Sequence, residues 1–299
     1  MKPKIILRKS KTFLILIWAA LRYPFFKRRC RIPRIMSIDE TLDMVIEKKL
    51  SVARFGDSEY LYMSGGKDGL QTSSQKLQAK LQEVMHNTNP RLLVCMVNYH
   101  DLRNRTLEAR LSAMKFHVHT FNSYKQYINF KYHYGNSNMT RFYITYRDKN
   151  RCAERFEKCK KIWEGREIIL FEGEQTRFGY GNDLFANTLS VKRVLCPSRM
   201  AFDYYDEIVA KSLEMPKQAL LIFALGATAT AIAGDLTAAG YQCIDIGNLD
   251  VEYEWFRLGV TRKVALNTKQ VSEVDGGMKV EHITDSEYMS QIIAKIGVK

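Results

Sequence analysis

Leu220-Leu221-Ile222-Phe223-Ala224-Leu225-Gly226-Ala227-Thr228-Ala229-Thr230 decides the fold of this chain. An apolar run of strand length ends at a glycine, and Ala227, Ala229, Ala231 and Ala233 follow at once. That order reads as a strand, a tight turn and a helix whose small side chains approach a sheet closely. Gly240 supplies the left-handed helix stop, and 241–246 is apolar enough for the next strand. Backbone amides at the start of the helix, next to Gly226, are placed to receive phosphate or carboxylate oxygens. No Gly-x-Gly-x-x-Gly pattern accompanies the turn, which argues against an ordinary dinucleotide dehydrogenase.

The same rhythm extends outward. Apolar runs at 51–55, 92–97, 142–146, 168–171, 191–195 and 220–225 alternate with stretches whose apolar residues recur every three or four positions, as at 38–48 and 77–85. Ser37 followed by Glu40 is a capping box for the first of these helices. The expected fold is α/β, a Rossmann-like, mostly parallel sheet flanked by helices. Residues 116–146, rich in Tyr, Asn, Phe and Lys, read as an irregular excursion or an inserted hairpin. His117 and His119 would share one face of a strand there, but without a third ligand a structural role is preferred to zinc.

The 299 residues divide unevenly in charge. Residues 1–34 hold 11 Lys or Arg and no acid, which leaves 35 basic against 32 acidic residues in the rest of a chain of net charge +14. A nearly neutral body disfavours nucleic-acid binding. The basic arm surrounds a nine-residue apolar run, 13–21, too short to span a bilayer, where about 20 residues are needed. Residues 1–35 are therefore expected to be an arm lying on the anionic inner membrane leaflet, and 36–299 a single domain. A signal peptide competes, against which Lys27-Arg28-Arg29 speaks; a helix packed on the sheet is the other alternative. Six scattered cysteines without a Cys-x-x-Cys pair read as reduced, mostly buried thiols of a cytoplasmic protein.

Three acid-bearing clusters each follow a strand. Arg54-Phe55-Gly56-Asp57-Ser58-Glu59 places two carboxylates one residue apart, suited to Mg2+ or Mn2+, which take one or two carboxylates plus substrate phosphates. The loop 172–185 carries three glycines with Glu172, Glu174, Arg177, Asn182 and Asp183, a mixture fit for phosphate and sugar hydroxyls. Past Ile246, Asn248 precedes Asp250, Glu252 and Glu254, which would share one face of an extended chain. Three such clusters describe one crevice at the carboxyl edge of a parallel sheet. A divalent metal, a diphosphate and hydroxyl-binding acids point to a nucleotide-sugar transferase.

At these positions the sequence resembles the bacterial glycosyltransferases of GT-D fold, through Arg54 to Glu59, Glu172-Gly-Glu-x-Thr-Arg177, Gly181-Asn-Asp-Leu-Phe185, Cys196-Pro197, Leu225-Gly226, and Asp245-Ile-Gly247 to Asp250-x-Glu-Tyr-Glu-Trp-Phe256. The resemblance covers about residues 36–265. It implies transfer of a hexose, commonly glucose from UDP-glucose, to a glycan or lipid-linked acceptor in surface polysaccharide or glycoprotein synthesis, with Mn2+ or Mg2+ at Asp57 and Glu59. On this reading Arg54 and Arg177 serve the donor diphosphate or orient Asp57 and Glu59, Gly56 and Gly226 help bind the donor, the Asp250–Glu254 cluster serves sugar or acceptor, and Asp250 and Glu252 are candidates for the acceptor base. Two departures stand out. Ser58 replaces a frequent glycine, and Asn248 stands where histidine is common. The rival readings are a methyltransferase using the Leu225-Gly226 turn and a catalytically degenerate, membrane-docked partner protein.

Overall fold

The computed structural model describes residues 3–31 and 33–298, with side chains from residue 14 onward; residues 1, 2, 32 and 299 of the expected arm and domain lie outside it. Nine strands form one sheet: β1 (Arg34–Ile35), β2 (Ser51–Phe55), β3 (Leu92–Met96), β4 (His133–Asn136), β5 (Glu167–Gly173), β6 (Ser190–Cys196), β7 (Leu220–Ala224), β8 (Gln242–Asp245) and β9 (Ile292–Lys295). Their order is β1-β4-β3-β2-β8-β7-β5-β6-β9, and every recorded pairing is parallel. The sheet is the Rossmann-like one expected.

Continuous apolar runs form these strands because both faces of the sheet are covered. Side chains alternate between two cores. Val52, Leu93, Ile168, Leu170, Leu220, Ile222 and Ile244 enter one core, and Ala53, Val94, Ile169, Phe171, Leu221, Phe223 and Cys243 enter the other. The first core lies under α2 (Ile38–Lys48), α6 (Cys152–Trp163) and α9 (Leu249–Arg257). The second lies under α3 (Asp57–Met63), α4 (Gln75–Met85), α5 (Leu107–Tyr124), α7 (Tyr205–Leu213) and α8 (Ala227–Ala238). Fully buried rings such as Phe171 and Phe223, stacked 4.8 Å apart, would each cost about 3–5 kcal/mol to truncate to alanine.

Local signals set several boundaries. Ser37 Oγ accepts from the Glu40 amide at 3.1 Å, and Glu40 Oε2 accepts from the Ser37 amide at 2.7 Å, which starts α2 at Ile38. Gly240, at φ 91°, turns the chain out of α8 into β8. Other expectations are corrected. Residues 142–146 form turns with one isolated bridge, Arg105 to Tyr146, because Tyr143 and Ile144 donate their amides to the Glu252 carboxylate rather than to a ladder. The stretch from 116 is helix, the second half of α5, and its aromatics are packed inward. His117 and His119 lie on a helix two residues apart, so they diverge: His117 is buried on Tyr99, and His119 stacks on Trp18. All six cysteines are free, and five are buried.

The N-terminal arm is a helix, α1 (Pro3–Arg29), whose inner face packs on α5. Ala19 and Tyr23 are buried there, and Tyr23 donates to the Tyr99 carbonyl. No helix among the described residues is long and apolar enough to cross a membrane.

Candidate functional site

The order in which strands are added reverses between the parallel neighbours β2 and β8: from β2 the chain proceeds to β3 and β4, whereas β8 is reached through β7 on the other side. Crevices form beyond the carboxyl ends of strands at such a point. Here the crevice is a cleft of about 670 Å³ whose wall includes Arg54, Gly56, Asp57, Glu59, Gly226 and Asn248.

Arg54 forms the floor. Its Nη2 meets Asp245 Oδ1 at 2.7 Å, its Nε donates to the Asp245 carbonyl at 2.8 Å, and its Nη1 donates to Thr140 Oγ1 at 2.8 Å. Thr230 completes the shell by donating to Asp245 Oδ2 at 2.9 Å. This cross-link ties β2 to β8, so Arg54 organises the cleft through Asp245 rather than through Asp57 or Glu59. Gly247 is required beside it: φ is 53°, and a Cβ would lie 2.0 Å from Arg54 Nη2.

Past β2, Gly56 caps α3, and Asp57 and Glu59 occupy its first turn. Glu59 Oε2 accepts from the Gly56 amide at 2.8 Å, which fixes the carboxyl beside the strand end. Burial, then repulsion from Asp245, pushes Glu59 up to about 7. Asp57 is open to solvent but walled in by the cleft. Burial raises its pKa, against the opposing effects of a hydrogen bond from Tyr99 and the charges of Arg141 and Arg105. Glu59, and to a lesser extent the solvent-open and partly compensated Asp57, therefore carries a cost of ionisation that a divalent cation would offset. Among the described residues no group of three or more His, Cys, Asp or Glu is gathered as a metal-binding set. The pair fits a hard cation that takes one or two carboxylates and completes its sphere with water and substrate oxygens.

Cations face these acids. Arg141 grips Glu273 through both terminal nitrogens, Lys263 reaches the same carboxylate at 2.6 Å, and Asn248 donates to it at 2.9 Å. Although burial alone would raise Glu273, these partners hold it down at about 2. Arg199 and Arg262 also line the cleft, are exposed, and have no ion-pair partner among the described residues. Tyr99, Arg105, Arg141, Arg199, Arg262, Lys263 and Glu273 escaped the sequence reading. Only Tyr99 had a local signal, since it follows β3 directly.

The structure places several expected site residues elsewhere. Glu172 is fully buried, paired with Arg193 at 2.6 Å and capping the Phe178 amide at 2.6 Å, because its strand β5 is covered on both faces. Arg177 donates to the Thr268 and Glu281 carbonyls at 2.8 and 2.7 Å and joins two loops rather than a phosphate. Glu174 is exposed outside the cleft. Asp183 accepts from Lys160 and Tyr253 on the outer surface and is held at about 2 by them.

The segment 249–257 is the helix α9, so Asp250, Glu252 and Glu254 do not share a face as they would on a strand. Asp250 and Glu254 lie four apart on one side, where Lys269 reaches Asp250 at 2.7 and 2.8 Å and Glu254 at 3.2 Å. Asn182 donates to both acids at 2.7 and 2.6 Å. Glu252 is buried on the other side against the Tyr143 and Ile144 amides. Asp250 at the cleft wall is thus neutralised by a buried ammonium, and Glu252 is sealed from solvent. Neither is disposed to act as the acceptor base.

The parallel α/β sheet thus carries at its carboxyl edge a cleft lined by two carboxylates and several arginines. The family model described as glycosyltransferase GT-D fold matches residues 52–274, and the chain belongs to that family. It is 35% identical over 265 residues to a probable glycosyl transferase, Gly, of Streptococcus gordonii, and 34% identical over 265 residues to the glycosyltransferase GlyD of Streptococcus pneumoniae serotype 4. Each alignment covers 88% of this chain but only 39% and 32% of those proteins, so the chain spans about a third to two fifths of their length. Among solved structures, a domain of unknown function 1792 described as having a distinct glycosyltransferase fold superposes with a TM-score of 0.84 at 35% identity, covering 89% of this chain and 96% of that one. A glycosyltransferase of the same domain type from Streptococcus sanguinis gives 0.83 at 33% identity, covering 89% of this chain and all of that one.

Proposed function

We propose that this chain transfers a hexose, glucose in the first instance, from a UDP-sugar to a glycan or lipid-linked acceptor in surface polysaccharide or glycoprotein synthesis. The observation that carries the reading is the gathering, in one cleft, of Asp57 and Glu59 with Arg141, Arg199 and Arg262. The names of the streptococcal relatives support sugar transfer. Asp57 and Glu59 would hold Mn2+ or Mg2+, which when bound supplies Lewis-acid stabilisation of the departing diphosphate. Arg199 and Arg262, free of internal carboxylates, bind diphosphate oxygens. Arg54 keeps Asp245 neutralised, so that the floor of the cleft does not repel the donor. Tyr99 holds Asp57 by its hydroxyl and orients the carboxyl into the cleft. The exposed apolar stripe of α1 and its basic flanks support a peripheral position on the inner, anionic face of the membrane.

Calorimetric titration with UDP, in Mn2+ and then in EDTA, tests the site. Metal-dependent binding is expected. Absence of binding in both conditions would favour a degenerate partner protein, and metal-independent binding would remove Asp57 and Glu59 from their role. Replacing both acids, Asp57→Ala with Glu59→Ala, is expected to lower turnover by more than about a hundredfold, since metal-stabilised charge contributes several kcal/mol.

A further inference from the structure

Helix α1 has a second side that the donor cleft does not use. Leu14, Ile17, Trp18, Leu21 and Phe25, spaced three or four residues apart on one face, are 40–69% exposed. Contiguous apolar surface of this kind marks an interaction site, and Arg22, Arg28 and Arg29 belong to the same helix. On the inner flank of α1 a separate cavity of about 560 Å³ opens against α5 and the loop after β3. Lys27, Arg103, Arg110 and Arg147 line it, with Asp101 as the one carboxylate in its wall.

Asp101 is consumed by Arg103, which grips it through two nitrogens at 2.9 Å. Lys27 donates to the His100 carbonyl, and Arg147 donates to the Arg103 carbonyl at 2.7 Å, so neither has its charge balanced. Arg110 has no hydrogen-bond or ion-pair partner among the described residues. His100, in the same wall, has both ring nitrogens buried without a hydrogen-bond partner. A cavity that gathers the uncompensated Lys27, Arg110 and Arg147 with an unpaired imidazole N–H of His100 is built for a compact anion with several acceptor oxygens, and a phosphate is that group.

The wall of this cavity is also the wall of the donor cleft. His100 and Arg103 face the cavity, whereas Tyr99 and Arg105 face the cleft. Tyr23, in the cavity, donates to the Tyr99 carbonyl, and the Tyr99 hydroxyl donates to Asp57. We propose that the α1–α5 cavity binds the phosphate of a membrane lipid, the anionic end of a lipid-linked acceptor, and so presents the distal sugar of that acceptor to the cleft on the other side of the 99–105 loop. The apolar stripe of α1 selects the lipid source over a free anion, because it places hydrocarbon-compatible surface on the helix that lines the cavity. The proposal rests on the transferase reading for its purpose, though not for its test.

The test uses the full chain and vesicles of phosphatidylcholine with and without phosphatidic acid, with binding followed by co-sedimentation. Arg110→Glu with Arg147→Glu should weaken binding to phosphatidic-acid vesicles by more than about thirtyfold, since loss of the two cations alone removes about a factor of five each and the added carboxylates repel the surface further. A control of equal charge change on the far helices, Lys48→Glu with Lys161→Glu, should weaken it by less than about threefold. Equal loss in the two variants would show a diffuse field and overturn the site, as would no loss in either. Displacement of the protein from the vesicles by equimolar inorganic phosphate would overturn the lipid assignment. Both arginines are exposed and outside the cleft, so the variant should melt with the wild-type protein and keep its affinity for UDP with Mn2+. A milder pair, Arg110→Gln with Arg147→Gln, carries the same test at smaller amplitude if the reversals disturb folding. Failure of UDP binding in the wild-type protein would defeat the donor reading and leave the vesicle result standing.

Discussion

Replacing Lys269 by methionine probes how the cleft is assembled. The ammonium is 1% exposed and is shared by both oxygens of Asp250, itself 2% exposed, and by Glu254. Methionine keeps most of the volume and removes the charge, leaving two carboxylates with the single amide of Asn182 between them. Breaking a buried pair from one side costs about 3–5 kcal/mol, because the remaining charge stays out of water. Unfolding entropy of about 2.1 cal/mol/K per residue gives roughly 0.6 kcal/mol/K for 299 residues, so a loss of about 4 kcal/mol lowers Tm by ~6 °C. The midpoint in urea should fall with the slope unchanged. Lys269 also pins the segment that brings Arg262, Lys263 and Glu273 to the cleft, so UDP affinity should fall as well. Adding Asp250→Asn, which removes the stranded charge, should recover more than half of the lost stability. A loss below about 1 kcal/mol in Lys269→Met, or no recovery in the double variant, would refute the account.

Other outcomes follow from the same geometry. Gly247→Ala puts a methyl against the Arg54 guanidinium at a positive φ and should cost about 3 kcal/mol in urea unfolding; a change within about 0.5 kcal/mol would show that the close approach is not binding. Arg193→Met strands the buried Glu172 and should destabilise by about 3–5 kcal/mol, yet the folded variant should keep its UDP affinity within about threefold, because that pair lies outside the cleft. Glu273, lowered from 4.5 to about 2 in the folded protein, contributes stability that is fully present above pH 4.5 and is lost as pH falls toward 2. That contribution is at most about 3 kcal/mol, and Glu273→Gln should flatten the stability profile across this window; parallel profiles would count against the clamp.

Much of the scaffold is legible in the chain because its causes are local. A parallel strand covered on both faces is apolar at nearly every position, which marks 92–97 and 220–225 outright and 51–55 apart from Ser51 and Arg54. Ser37 and Glu40 close a capping box within four residues, and Gly226 and Gly240 bracket α8 by conformations that need no distant partner. The short strands β1, at the edge, and β4, beside it, carry no such run and form because a neighbouring strand offers a ladder. The region 249–257 alternates acidic and apolar residues in a manner compatible with a strand, and it becomes a helix because Leu249, Val251, Tyr253 and Trp255 are all buried in the core while Asp250 and Glu254, four apart on one side, find Lys269.

The acids themselves show the division most plainly. Sequence alone placed Asp57 and Glu59 at a strand end, and there they line the cleft. It could not separate them from Glu172, Asp183 or Glu252, which follow strands in the same way and are taken by Arg193, Lys160 and backbone amides. Their fates depend on charges brought near by folding, as Arg54 meets Asp245 across 191 residues and Arg141 meets Glu273 across 132. Apolar periodicity is written within a few residues and fixes the layers of the fold; ion pairing acts through space, so only the tertiary structure decides which carboxylates are neutralised and which stay open to a ligand.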